Sequence, residues 1–367
     1  MLTKGDEYPL HQTPEPIAFS GSDRNFYDRY FFNGSHPDGS GFFAIALGIY
    51  PHLNIADAHV SALRSGTQHC LHASRILNME RMDLHAGPIK IEVIEPLKSL
   101  RIVFDGEGIK GDLVCEGRSF PVQEPRFTRR NGPRMMMDVT RFTQAVRWEG
   151  WLEIDGKRET YKKDEAVGVR DRSWGVRPIG AQDQQPAVPM QLPQFYWLWA
   201  PTNFPNLALY FHVNEDAAGE AWNIRSSLAM DGTNSDQHLH LVDPRATMTW
   251  AKGKRHASNM VLNVKDPSGR DHTVTWTPVD TFQMKGIGYM HPEWGHGAFK
   301  GEQASAREDF KPAELDPLMP FNLHIQAVCI AKHEGAGASS TGVGSFEQLV
   351  IGPHAPSGFK DMFDGAQ

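Results

Sequence analysis

The sequence predicts an all-β protein whose two halves are alike in kind. Three observations carry this. Apolar and aromatic residues come in short runs bounded by turn formers along the whole chain. Helical periodicity is weak, and no convincing helix exceeds two turns. The pattern recurs in kind after a Pro- and Gln-rich break at residues 179–194, IGAQDQQPAVPMQLPQ. Two barrels or one large composite sandwich satisfy the pattern equally.

In chain order, residues 1–24 read as a loosely structured lead-in. Tyr27 to Phe32 and Phe42 to Tyr50 are aromatic and branched runs joined by a stretch dense in Gly, Asn, Asp and Ser, hence two strands and a loop. Strands are predicted at 69–77, 89–95, 99–105, 111–116 and 135–138, with turns at Asp105-Gly106 and Asn131-Gly132. Ala145 to Ile154 runs into Asp155-Gly156, a hairpin turn sequence, and Glu159 to Tyr161 resumes the strand. Beyond the break, runs at 195–200, 206–214, 221–230, 237–242, 247–250, 260–264, 272–278, 282–289, 323–332 and 344–351 read the same way.

Composition narrows the function classes. The 367 residues suffice for two ordinary domains, and 40% hydrophobic with 22% charged residues suits a soluble globular protein. A net charge of -7 without a long basic run argues against phosphate-neutralising nucleic-acid binding. Three dispersed cysteines (Cys70, Cys115, Cys329) argue against a disulfide framework or a clustered zinc site, and suit a reducing compartment. With no apolar signal core and no membrane-length apolar run, the chain reads as cytoplasmic, without a membrane span.

The densest chemistry lies at Gly168-Val169-Arg170-Asp171-Arg172-Ser173-Trp174-Gly175-Val176-Arg177-Pro178. On an extended strand, Val169, Asp171 and Ser173 share one face and Arg170, Arg172 and Trp174 the other. The stretch is either a salt-bridged strand end or the polar floor of an apolar cavity.

The Gly168, Asp171, Trp174, Gly175 spacing, set between a β-rich half and an aromatic strand, resembles the carotenoid 1,2-hydratase and AttH-like group. The resemblance implies two packed lipocalin-like β-barrel domains, here 1–178 and 195–367 joined by a linker at 179–194. Relatives in that group include phytoalexin hydratases and cyclases. Tyr289 to Gly297 (YMHPEWGHG) and Gly342 to Glu347 (GVGSFE) resemble motifs of its uncharacterised bacterial members. The arginines at 170 and 172 depart from the usual hydratase pattern.

Alkene hydration calls for a general acid beside an apolar pocket and a group that stabilises a cation. A buried Asp171 and the Trp174 indole face supply these parts. Arg170, Arg172 and Arg177 work against a neutral Asp171 and favour a base or orienting role. The arginines themselves suit a substrate carboxylate, phenolate or enolate.

His291 and His296 are five residues apart across Pro and Gly, which is not the i, i+4 spacing of a helical zinc motif. A metal there would need help from His238, His240 or Glu302. A histidine presented for acid–base work, or a hydrogen-bonded Tyr289/Trp294/His cluster, fits better. The aromatic run Phe195 to Trp199, Met135 to Met137 and the glycines of 335–345 read as core or loop.

The sequence therefore predicts a cofactor-independent hydratase, dehydratase, isomerase or cyclase acting on an apolar isoprenoid, steroid-like or aromatic molecule. Asp171, His291 and His296 are the catalytic candidates. Arg170, Arg172, Trp174, Tyr289 and Trp294 are the substrate-binding ones, with no metal and no cofactor. A homodimer is compatible with the sequence. The rival is a non-catalytic carrier of hydrophobic ligands, which needs only one or two orienting polar groups.

Overall fold

The computed structural model describes residues 2–9, 23–185, 188–190, 192–335 and 337–367. Among these the protein is all-β, its helical turns being 3-10 segments no longer than four residues. No helix is long and apolar enough to cross a membrane.

The chain forms two compact units. The first comprises Met1–Ser35, Gly41–Gln191 and Lys285–Phe310; the second comprises His36–Ser40, Leu192–Met284 and Lys311–Gln367. This differs from one cut at residues 179–194, of which 186, 187 and 191 lie outside the described residues. Strand pairing is the reason, because residues 303–310 hydrogen bond along residues 68–75.

In the first unit, β1 (Phe26–Ser35), β2 (Phe43–Tyr50), β3 (Ile55–Arg64) and β4 (Thr67–Ile76) form an antiparallel meander. Then come β5 (His85–Ala86), β6 (Ile89–Glu95), β7 (Ser99–Gly106) and β8 (Ile109–Gly117). Next are β9 (Val122–Gln123), β10 (Phe127–Asn131), β11 (Arg134–Ile154), β12 (Lys157–Tyr161) and β13 (Val167–Val176). The second unit holds β14 (Phe195–Trp199), β15 (Thr202–Phe204), β16 (Leu207–Glu215), β17 (Ala221–Met230) and β18 (Leu239–Trp250). It continues with β19 (Ala257–Lys265) and β20 (Asp271–Gln283). β21 (Gln303–Phe310) returns to the first unit, and β22 (Ile325–Gly335) and β23 (Ala338–Ile351) complete the second.

The first sheet runs β21-β4-β3-β2-β1-β13-β11-β8-β7-β6-β5 and curls into a nearly closed barrel. The second closes into an eight-stranded barrel through β14–β23 and β16–β17 pairing. Its core gathers around Trp276, Met260, Leu262 and Phe346. The two-barrel, all-β expectation therefore holds.

Burial divides the first sheet into two kinds of strand. β7 and β8 alternate buried and partly exposed residues, as a sheet with one wet face must. β1 and β2 are buried at every position, and β3 at all but its last residue. Their inward residues, including Tyr30, Phe32, Ile45, Leu47, Ala58 and Val60, fill the barrel. Their other face carries polar side chains that are buried too, so each needs a partner.

One end of this core is polar. Part of the lead-in expected to be loose forms a 3-10 turn, Lys4–Glu7, and Glu7 is fully buried (10–22 lie outside the described residues). The Glu7 carboxylate accepts from Arg170 Nη1 at 2.7 Å and from the Leu97 backbone N–H at 2.8 Å. Its backbone carbonyl accepts from Tyr30 Oη and Arg172 Nε. Close by, Gly34 and Gly168 face each other across β1 and β13. A Cβ on Gly168 would sit 2.0 Å from the Asn33 carbonyl oxygen and 2.5 Å from the Trp148 indole nitrogen, so only glycine fits there.

Candidate functional site

The polar face of β3 and β4 follows from strand alternation. On β3, Ala56, Ala58, Val60 and Ala62 enter the core, leaving Asp57, His59 and Ser61 on the other face. On β4, Leu71 and Ala73 are core residues, leaving Gln68, Cys70, His72 and Ser74 opposite. The register puts Asp57 beside Ser74, His59 beside His72, and Ser61 beside Cys70. β21 adds Glu308 directly across from Cys70.

Residues 285–302 of the same unit lie over this face. A Cβ on Gly286 would fall 2.8 Å from Ser61 Oγ and 2.9 Å from Cys70 Sγ. A Cβ on Gly288 would fall 2.6 Å from His59 Nε2 and 2.8 Å from the His296 ring. The result is a dry polar layer, in which Asp57, His59, His72, Cys70, Ser61 and Arg29 are each at most 3% exposed.

Within the layer the hydrogen bonds are specific. His59 Nδ1 and His72 Nδ1 are 2.9 Å apart, so one donates and the other accepts. The outer nitrogens face carboxylates: His59 Nε2 lies 3.6 Å from Asp57 Oδ1, and His72 Nε2 lies 3.4 Å from Glu308 Oε1. Neither outer nitrogen makes a well-aligned hydrogen bond. Asp57 is held by Tyr50 Oη at 3.1 Å and the Gly297 N–H at 2.7 Å. Ser61 Oγ contacts Cys70 Sγ at 3.1 Å and accepts from Gln68 Nε2 at 2.9 Å.

Two further histidines have their tautomers set by backbone groups. His291 Nδ1 accepts the N–H groups of Glu293 (3.0 Å) and Trp294 (2.8 Å), so its proton sits on Nε2, which donates to Glu308 at 3.1 Å. His296 Nε2 donates to the Ile287 carbonyl at 3.0 Å, leaving Nδ1 as acceptor. Arg177 Nη2 (3.0 Å) and Arg29 Nη1 (3.3 Å) both donate to that nitrogen.

Electrostatics follow from burial. Desolvation holds His72 down to about 4, against the opposing pull of Glu308. Desolvation likewise lowers His59, although Asp57 works the other way. His296 lies well below the ordinary value, from burial first and then from Arg29 and Arg177. Burial opposes ionisation of Glu308, but the hydrogen bond from His291 and the nearby His72 ring outweigh it and hold its carboxyl below the usual carboxylate range. Burial and Asp57 raise Tyr50, and burial raises the Cys70 thiol. At neutral pH the layer therefore presents His59, His72 and His296 as neutral imidazoles beside an ionised Glu308.

The residues singled out from sequence fall into two groups. Tyr289, His291, Trp294 and His296 come together in this layer. Trp294 stacks on His72 with ring centroids 5.7 Å apart, and Tyr289 meets His296 at 4.6 Å and lies 4.3 Å beneath Arg29. Asp171 pairs in register with Phe31 and shares its sheet face with Arg29 and Arg141. Arg170, Arg172 and Trp174 lie on the opposite face. There Arg170 is ion-paired to Glu7, and Arg172 to Asp28 at 2.5 Å, with its guanidinium 3.9 Å from the Tyr30 ring centroid. Arg170 and Arg172, expected as substrate anchors, are both fully buried and each is ion-paired with an acid. Asp171 and the Trp174 indole point to opposite faces and do not form one acid–cation pair.

Sequence reasoning passed over Asp57, His59, His72, Glu308 and Arg29. The available signal was the alternation of Asp57, His59 and Ser61 with alanines and valine, repeated by Gln68, Cys70, His72 and Ser74. As for metal-ligating groups, Cys70, His72 and Glu308 bring ligand atoms within 4.8 Å of one another. His238 and His240 belong to the second unit. That unit has its own buried carboxylate, Glu347, which accepts from His324 and Trp197 at 2.9 Å each and from Gln326 at 2.8 Å.

Several solved structures share the fold. An AttH-type protein from Nitrosomonas europaea aligns over 94% of this chain and 98% of its own, at 11% identity and a TM-score of 0.53. CghA, crystallised with Sch210972, aligns over 94% and 97% at 13% identity and a TM-score of 0.51. Kievitone hydratase from Nectria haematococca aligns over 88% of each chain at 11% identity, with a TM-score of 0.46. At such identities the likeness establishes the fold, in line with the AttH-like resemblance carried by Gly168, Asp171, Trp174 and Gly175. No curated protein matches the sequence. One family model spans residues 2–360, and the chain accordingly belongs to the family of unknown function DUF8625.

Proposed function

We propose that the protein is an acid–base enzyme of the lyase or isomerase kind, which hydrates, dehydrates, isomerises or cyclises an apolar small molecule. One observation carries the reading: the contact between His59 and His72, buried between Asp57 and Glu308. Two neutral imidazoles hold two protons on four nitrogens. One proton lies in the Nδ1–Nδ1 bond, and the other can occupy only one of the two outer nitrogens. One end of the pair is thus always a base and the other an acid, and a tautomer shift exchanges them. Such a couple suits reactions that remove a proton at one atom and return one elsewhere.

Arg29 and Arg177, stacked with Tyr289 and Tyr27, provide positive charge for an enolate, phenolate or alkoxide that develops on the substrate. Asp171, on the Arg29 face of β13, balances that charge. Trp294 and Tyr289 supply aromatic surface for an isoprenoid, steroid-like or aromatic ligand. CghA, of the same fold, is crystallised with Sch210972, which supports a ligand-binding use of the architecture.

The test begins with native mass spectrometry of protein purified from its own host, to recover a retained ligand. That ligand is then incubated with wild type and with His59→Gln. Conversion by wild type and its loss in the variant support the enzyme. A ligand that both proteins bind and neither converts would establish the carrier instead.

A further inference from the structure

We propose that Cys70, His72 and Glu308 form a binding site for a transition-metal dication, with zinc the best match to the donor set. This goes beyond the acid–base reading, since a metal can bind here whether or not the imidazole pair moves protons.

The donors are a thiol sulfur, an imidazole nitrogen and a carboxylate oxygen, all within 4.8 Å of one another. This mixture suits zinc and related borderline cations far better than magnesium or calcium, which prefer oxygen alone. Rigid elements supply all three. Cys70 and His72 are two apart on one face of β4, and Glu308 is the register partner of Cys70 on β21. Zinc bonds of about 2.0–2.1 Å to nitrogen and oxygen imply tetrahedral edges of roughly 3.3–3.4 Å. The separation of His72 Nε2 from Glu308 Oε1 is 3.4 Å. His72 Nε2 is fully buried and makes no well-aligned hydrogen bond, so its lone pair can serve a cation without breaking one.

The groups around these three orient them as ligands. His72 Nδ1 meets His59 Nδ1, and His59 Nε2 faces Asp57. A cation on His72 Nε2 therefore places protons on His72 Nδ1 and His59 Nε2, and a carboxylate terminates the chain. His291 is not a ligand. Two backbone N–H groups occupy its Nδ1, so its Nε2 carries the proton and donates to Glu308. Ser61 Oγ meets the sulfur at 3.1 Å and itself accepts from Gln68 Nε2 at 2.9 Å. Three protein ligands leave a fourth position open, the pattern of a catalytic rather than a structural zinc site. Bound there, the cation would displace the Cys70 proton and fix His59 Nε2 as the proton-carrying end of the imidazole pair.

The test uses the full-length, untagged chain, metal-stripped with a chelator and titrated with cobalt(II), followed by zinc competition and elemental analysis. The expected result is one cobalt per chain with a thiolate-to-cobalt charge-transfer absorption that zinc abolishes. Cys70→Ser should remove the absorption, whereas Cys115→Ser and Cys329→Ser, at the other buried thiols, should leave it intact. His72→Gln and Glu308→Gln should weaken binding by 100-fold or more. His59→Gln should weaken it about 10–100-fold while keeping the absorption, as expected of a group that orients a ligand. Circular dichroism of each variant separates lost ligation from lost folding. An absorption that survives Cys70→Ser, or no stoichiometric uptake by folded wild type, would overturn the site. Turnover of the recovered ligand that is indifferent to chelation would leave the acid–base reading standing alone.

Discussion

His59 and His72 meet across neighbouring strands with their Nδ1 atoms 2.9 Å apart, in a layer buried from solvent. Two imidazoles at this distance share a single proton, so the protonation of either outer nitrogen dictates that of the other. Replacing His59 by Gln removes the couple while keeping a polar group of similar reach. Turnover should fall by about 10²–10⁴-fold, the usual worth of a positioned acid–base group. Steady-state kinetics on the recovered ligand check this, with circular dichroism as the control for folding.

Gly288 should tolerate no side chain. Its φ of +87° is unfavourable for other residues, and a Cβ would press on His59 Nε2 and on the His296 ring. Gly288→Ala should therefore lower both stability and turnover. Gly301→Ala is the comparison, because Gly301 has a φ of +89° with open space around its Cβ direction. Stability lost by both variants reports backbone strain; turnover lost only by Gly288→Ala reports displacement of the histidines.

The Glu7–Arg170 ion pair should matter for folding rather than chemistry. Glu7→Gln leaves the buried Arg170 charge without its counter-ion, at a cost of about 3–5 kcal/mol. Denaturant unfolding should show the loss. Arg170→Met in the same chain should recover much of it, because the uncompensated charge is then gone. Equal instability of the single and double variants would place the loss in the other bonds of these side chains, Glu7 to the Leu97 N–H and Arg170 to Gln144.

Stability should depend on pH through His256 in the second unit. Burial holds this imidazole to about 4, while Nε2 donates to the Leu323 carbonyl at 3.1 Å. Its folded pKa lies below the unfolded value of 6.5, so between these values the unfolded chain binds a proton that the folded chain refuses. Stability should then decline as pH falls from 6.5 to 4, by about 3 kcal/mol from this group. His256→Gln should flatten that part of the curve, measured by unfolding at several pH values.

Strands rich in branched and aromatic residues were readable from sequence. Ile89–Glu95 is found where it was expected, and the hairpin at Asp155-Gly156 has both residues at positive φ, as its sequence demands. The strands that carry most of the buried layer were not readable. Ile55–Arg64 is dominated by Ala, Asp, His and Ser, and Gln303–Phe310 by Gln, Ala, Ser and charged residues. These residues have modest β propensity, and they form strands because β2 and β4 pair with them. Two runs expected as separate strands, 135–138 and 145–154, form one 21-residue strand, since β13 and β8 pair along its length.

The sequence by itself determined the all-β class and the two faces of the 168–176 strand, because these depend on local period and turn chemistry; the same pattern left two barrels and one composite sandwich open, and only the AttH-like resemblance pointed to two barrels. Only the tertiary structure decided which faces are covered and which charges are matched. Arg170 looks like a free anion anchor until Glu7, far away in the chain, fills its place. The His59 and His72 couple exists because the β3–β4 register sets those residues side by side, and Glu308 joins them because β21 returns to β4. Alternation tells which side chains share a face. Long-range pairing and burial determine what that face meets, and so whether its polar groups become a solvated surface or a dry site.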